Sequence, residues 1–366
     1  MPIPYTRFAV FIAALVLALS GCAASTVARP SGAESIRVLV MDGAKGLTIS
    51  GVNDKLRIEW VGRGRAKVNG AEVALPAVYR PRGEFLNING KPYRGTLTVG
   101  QGRDGIMVVN ELEVEAYVAG IINNEISSRW PKDAIRAQAV VARTYAVYQK
   151  KKRGAEPYHV EATTMGQVYN GAGAEDAPAV SAVRDTAGEM LFYGDEPALT
   201  VYHSNAGGMT EDAVEVWGSG YPYLRPVKSP YDEAAPKYAW EFKVSPESLR
   251  ASLRAAGYNR LAEPTEVAVS GVTASGRVKA VAIKDANGNA AVMSGEELRR
   301  ALGYGNIKSA IFKAGRDGGA FVFNGRGSGH GVGLSQWGAK GMAGDGYSYK
   351  EILNHYYPGT ELVKRP

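Results

Sequence analysis

The chain has 366 residues, of which 45% are hydrophobic and 22% charged, with 45 glycines and a single cysteine. This composition excludes wholesale disorder, a collagen-like repeat and a polytopic membrane protein, and the length suffices for two or three domains with real cores. One cysteine excludes a disulfide framework, a four-cysteine zinc site and an iron–sulfur cluster. The formal charge of +7 is dilute, and its densest run, Lys150-Lys151-Lys152-Arg153, falls where a helix ends and cations complement the dipole. No recognition motif accompanies it, so nucleic acid is not an expected partner.

Met1 to Arg7 carries one positive charge, Phe8 to Leu19 is an unbroken apolar run too short to span a bilayer, and Leu19-Ser20-Gly21-Cys22 follows at once. The stretch resembles a bacterial lipoprotein signal peptide. That resemblance implies residues 1–21 as leader, a lipid on Cys22, attachment to a membrane through that lipid, and residues 22–34 as a tether. With Ala23 in place of an aspartate after the cysteine, it implies the periplasmic face of the outer membrane in a diderm.

From Ile36 to Val109, short apolar runs at Ile36–Val40, Leu56–Trp60, Leu86–Ile88, Thr96–Val99 and Ile106–Val109 alternate with Gly, Asn, Asp and Pro turns, so 35–110 reads as a β-rich part. Val114, Tyr117, Val118, Ile121 and Ile122 then share one face of a helix over Glu113–Ile126. A second helix starts with Pro131 at its first position and runs to Lys152. Between Tyr158 and Val227 the pattern is of short strands broken by glycine, including Glu189–Tyr193 and Ala198–His203. Residues 240–315 read as an inserted α/β module, with helices near Pro246–Ala256 and Gly295–Leu302 and strands at Thr265–Val269 and Val278–Ile283. Residues 316–366 are a glycine-rich loop and a helix near Tyr349–Tyr356 that complete a core begun at 111–239. The fold class expected is α+β.

Two of the four histidines, His203 and His330, lie in loops dense in serine and glycine, where the backbone can approach a ligand closely. The same loops read equally well as tight turns with hydrogen-bonded histidines. The second loop lacks the Gly-Lys-Ser/Thr ending of a phosphate loop, and no nucleophile elbow surrounds Ser204. Glu125, at the end of an amphipathic helix and on or beside its apolar face, is the acid candidate, because desolvation raises a carboxyl's pKa. Glu111, Glu113 and Glu115 read as solvated.

Three ordered segments resemble the SpoIID/LytB family of stage II sporulation proteins D and amidase enhancers. They are Val109-Asn110-Glu111-Leu112 through Glu125 and Trp130-Pro131 to Ala146; His203-Ser204-Asn205-Ala206-Gly207-Gly208-Met209-Thr210-Glu211 with Val216-Trp217-Gly218; and Gly327 to Gly338 with Tyr356-Tyr357-Pro358-Gly359-Thr360. The resemblance implies peptidoglycan glycan strands as partner and, in the sporulation branch, lytic transglycosylation of strands that have lost their stem peptides. It places the catalytic glutamate on Glu125, and Trp130, Gln138, Arg143, Tyr145, His203, Ser204, His330 and Gln336 around the glycan, with Arg143 alternatively a structural anchor. The enhancer branch implies instead a non-catalytic glycan binder with a cell-wall amidase as partner. Some sporulation-branch members carry zinc ahead of a Gln-x-Tyr motif; here that stretch, His159 to Tyr169, has one histidine and no cysteine, so neither metal nor cofactor is expected.

Overall fold

The computed structural model describes residues 34–163 and 166–365, so the expected leader, Cys22 and nearly all of the tether lie outside the described residues. The described residues hold eight α-helices and several small sheets, an α+β arrangement. None of these helices is long and apolar enough to cross a membrane.

The β-rich part builds two sheets. Ser35–Ala44 sits in a five-stranded sheet between Ile106–Glu113, antiparallel, and Val160–Glu161, parallel. Gly46–Ser50 and Leu56–Gly62 lie inside a six-stranded antiparallel sheet. Alternation puts Ile36, Val38, Ile49 and Ile58 inward, each fully buried, and their faces meet the first helix in one hydrophobic cluster.

Helix α1 spans Val114–Glu125 and α2 spans Lys132–Lys152, within a residue or two of the sequence expectation. Pro131 is the N-cap residue of α2, in extended conformation, rather than its first helical position. The turn between the helices is fastened to α3 (Ala177–Asp185): Ser128 Oγ donates to Asp176 at 2.6 Å and Asn123 Oδ1 accepts from the Ser128 backbone at 2.9 Å. Helix α3 and the short α4 (Ala213–Trp217) correct the reading of 158–227 as strands alone. The strand expected over Ala198–His203 reduces to Tyr202–His203. Upstream of it the chain bonds to side chains and helices instead, Leu199 N to the Tyr223 hydroxyl at 2.7 Å and Thr200 Oγ1 to the Val141 carbonyl at 2.8 Å.

Helices α5 (Pro246–Ala255) and α6 (Gly295–Leu302) pack with two three-stranded sheets around a separate hydrophobic cluster, from Trp240 to Phe323. Ala320–Arg326 is the middle strand of one of these sheets, so the boundary expected at 315 cuts through a hairpin. Helix α7 (Gln336–Gly344) falls inside the stretch read as a glycine-rich loop. Its glycines serve packing: a Cβ on Gly338 would stand 2.0 Å from the Tyr356 hydroxyl of the next helix, α8 (Tyr349–Tyr356). A cluster between α2, α7 and α8 completes the core.

Candidate functional site

A cleft of about 570 Å3 opens where the end of α1, the two glycine-rich loops and α6 converge. Of the residues expected at a site, Glu125, Tyr145, His203, Ser204, His330 and Gln336 line it together, although they span more than half the chain. The other wall comes from the inserted segment: Glu296 and Arg299 on α6, then Tyr304 and Lys308. Trp217 and Tyr304, at 44% and 46% exposure, offer aromatic surface to whatever enters.

Glu125 is the last residue of α1 and only partly exposed. Burial pushes its carboxyl above the ordinary 4.5, against the opposing pull of a 2.8 Å hydrogen bond from the Val168 backbone N–H. The Tyr202 hydroxyl and the Gln336 amide also pull downward from inside the cleft, although neither the hydroxyl nor the amide nitrogen stands within hydrogen-bond distance of a partner. The negative end of the helix dipole adds to the cost of ionisation. Val168 is held in place by its neighbour Gln167, which accepts from the Tyr117 hydroxyl at 3.0 Å and donates to the Ala142 carbonyl at 3.2 Å. The 166–169 segment is thus fixed by packing and hydrogen bonds to the helical hairpin. Among the described residues no cluster of three or more His, Cys, Asp or Glu is arranged to hold a metal ion.

The two histidines are neutral and differently protonated. The Val332 N–H donates to His330 Nδ1 at 3.0 Å, so the proton of His330 sits on Nε2 and goes to the Tyr202 carbonyl at 3.0 Å. His203 Nδ1 faces the Val332 carbonyl at 3.1 Å and therefore carries the proton, which leaves its buried Nε2 as an acceptor without a partner. Burial lowers His330 to about 4 and takes His203 well below 6.5, the neighbouring His330 adding to the latter. The rings lie 5.4 Å apart, and Trp217 packs on His330 at 5.3 Å.

The remaining expected residues lie outside the cleft lining. Trp130 packs on Trp337 at 5.1 Å, with the Lys340 ammonium 4.1 Å from the Trp337 ring and 5.3 Å from the Trp130 ring. Gln138 is buried on α2, and neither amide atom finds a partner. Arg143, 1% exposed, takes the structural alternative: it forks onto Glu115 at 2.8 and 2.7 Å and donates to the Glu189 carbonyl at 3.0 Å. Glu115 is accordingly a paired carboxylate, with 39% of its side chain still exposed, that also accepts from the Gly188 N–H at 3.0 Å.

Sequence reasoning missed the α6 wall. Glu296 and Arg299 form an ion pair at 2.6 Å, and Arg299 lies over the Tyr304 ring at 5.0 Å. A capping box at Ser294 and Glu297 marks where this helix starts, but nothing local says that it faces a site on a helix far earlier in the chain.

A carboxyl shifted upward by burial, in a cleft with polar acceptors and aromatic edges, is equipped to hand a proton to a polar ligand. The chain belongs to the SpoIID/LytB family, a family with a cell-wall-related role. The family described as Stage II sporulation protein matches residues 102–193, and a domain of unknown function matches residues 221–333. An uncharacterized protein of Brachyspira hyodysenteriae is 36% identical over 81% of this chain and 79% of its own length. Stage II sporulation protein D of Bacillus amyloliquefaciens is 32% identical over 69% of this chain and 75% of its own. The Amidase enhancer of Bacillus subtilis is 30% identical over 76% of this chain but only 45% of its own length.

Proposed function

We propose that the protein is a lytic transglycosylase that cuts peptide-free peptidoglycan between N-acetylmuramic acid and N-acetylglucosamine. The observation that carries this reading is the single available acid: Glu125 is held toward its protonated form, and the other carboxylate in the cleft, Glu296, is neutralised by Arg299. Ordinary glycosidases need two working carboxyls, whereas an intramolecular nucleophile needs one. Glu125 protonates the bridging oxygen, the bond to the muramyl C1 breaks, and N-acetylglucosamine leaves with a free 4-hydroxyl. The carboxylate then takes the proton of the muramyl C6 hydroxyl as that oxygen bonds to C1, closing a 1,6-anhydro ring and restoring the acid. His203 Nε2 and the Gln336 amide nitrogen, both without partners, suit the hydroxyls and acetamido groups of the sugars. In this reading the chain works in the cell envelope, tethered through a lipid on Cys22.

The test is digestion of amidase-treated sacculi followed by mass spectrometry. Wild type is expected to release anhydromuramyl ends, and Glu125→Gln to release them about 100- to 10,000-fold more slowly. Glycan binding with no product from either protein would favour a non-catalytic binder, the reading suggested by the Amidase enhancer relative. Reducing ends without anhydro products would point to a hydrolase.

A further inference from the structure

Four side chains with formal charge line the cleft: Glu125, Glu296, Arg299 and Lys308. Burial shifts Glu125 toward its neutral form, and Glu296 and Arg299 cancel each other at 2.6 Å. Both histidines are neutral, for the reasons given above. Lys308 is left as the cation that nothing compensates, since among the described residues its ammonium makes no ion pair or hydrogen bond. Lys308 is half-buried at a cleft with low-dielectric walls, where a cation attracts an anion from the ligand.

The position is built rather than incidental. The Lys308 carbonyl is clamped from two sides, accepting from Arg299 Nη2 at 2.8 Å and from the Gly329 N–H at 2.8 Å, one residue before His330. Arg299, itself 4% exposed, also holds the Ile307 carbonyl at 3.1 Å. The lysine backbone is therefore fixed to both the α6 wall and the histidine loop.

We propose that Lys308 selects peptide-free strands by pairing with the free lactyl carboxylate of the muramoyl residue. The inference rests on the glycan reading above and names what in the glycan the cleft distinguishes. Each muramoyl unit without a stem peptide carries one carboxylate on its lactyl ether. With a peptide attached, the same carbon is a neutral, bulkier amide that offers the ammonium no counter-charge, and a chitin strand has no such group at all.

The test is equilibrium binding of the full chain to three oligosaccharides of equal length: peptide-free muramoyl glycan, the same glycan with its lactyl carboxyls converted to methylamides, and chitin. Wild type is expected to favour the free acid over the methylamide roughly tenfold, a preference that shrinks as salt rises. Lys308→Met is expected to bind the free acid and the methylamide alike, with its methylamide affinity and its thermal unfolding unchanged, and Lys308→Arg to keep most of the preference. A Lys308→Met protein that still prefers the free acid, or that loses both ligands equally, overturns the proposal. Wild type binding all three glycans equally overturns the role of Lys308 and leaves the glycan reading intact; wild type binding none of them overturns both.

Discussion

Two polar clusters meet the helical hairpin, one at Arg143 on α2 and one at Glu125 on α1, and the fold treats them in opposite ways. At Arg143 every demand is met: the guanidinium forks onto Glu115 and caps the carbonyls of Glu189 and Val183, and Glu115 takes a further backbone N–H. Around Glu125, by contrast, the Tyr202 hydroxyl, His203 Nε2 and the Gln336 amide nitrogen have no partner. Leaving buried polar groups unpaired costs free energy, so a folded chain keeps them where something else will pair with them. The cleft group is unpaired beside an open cavity, whereas Gln138, also unpaired, lies on α2 outside the cleft lining, so it is unpaired polarity together with the cavity that sets the site apart.

Removing the frame should have the largest effect. Arg143→Met leaves two carbonyls uncapped and a partly exposed Glu115 unpaired, and is expected to cost about 2–4 kcal/mol in urea unfolding. Glu125→Gln should cost no stability while it slows turnover about 100- to 10,000-fold; a comparable loss of stability in both variants would erase the distinction. Gly331→Ala comes next, at a φ of +86° where a Cβ would lie 2.1 Å from the buried Arg277 guanidinium. It is expected to cost about 1–3 kcal/mol and to weaken glycan binding by displacing His330, read by thermal unfolding and titration. The smallest effect is in pH. Because burial holds the folded-state value of Glu125 above 4.5, the folded chain binds that proton more tightly than the unfolded chain does. The resulting stabilisation is complete below the ordinary value and is lost as pH rises through the folded value. Wild type should therefore fall behind Glu125→Gln in thermal midpoint over that window, by about 2 °C, and its turnover should fall at the same upper limb.

Local pattern carried some of this site and not the rest. The hairpin was legible because Val114, Tyr117, Val118, Ile121 and Ile122 repeat at helical spacing, and the same register puts Glu125 at the edge of the apolar face. Helix α7 was hidden because glycine is a poor helix former, and the packing that requires Gly338 comes from Tyr356, which no short window contains. Glu115 looked solvated because its partner is 28 residues away on another helix. The α6 wall was invisible for the same reason on a larger scale: Arg299, Tyr304 and Lys308 acquire meaning only when their segment folds back over the histidine loops.

Tyr202–His203 lies parallel to Leu334–Ser335, and His203 meets the Val332 carbonyl across 129 positions of chain. For a chain made from its N-terminus, this interleaving acts as a timer. The acid on α1 emerges early, but the surface that would present a polymer to it exists only after the segment through α7 has followed. A chain halted or clipped before that point holds Glu125 without the loops and the α6 wall that complete its cleft.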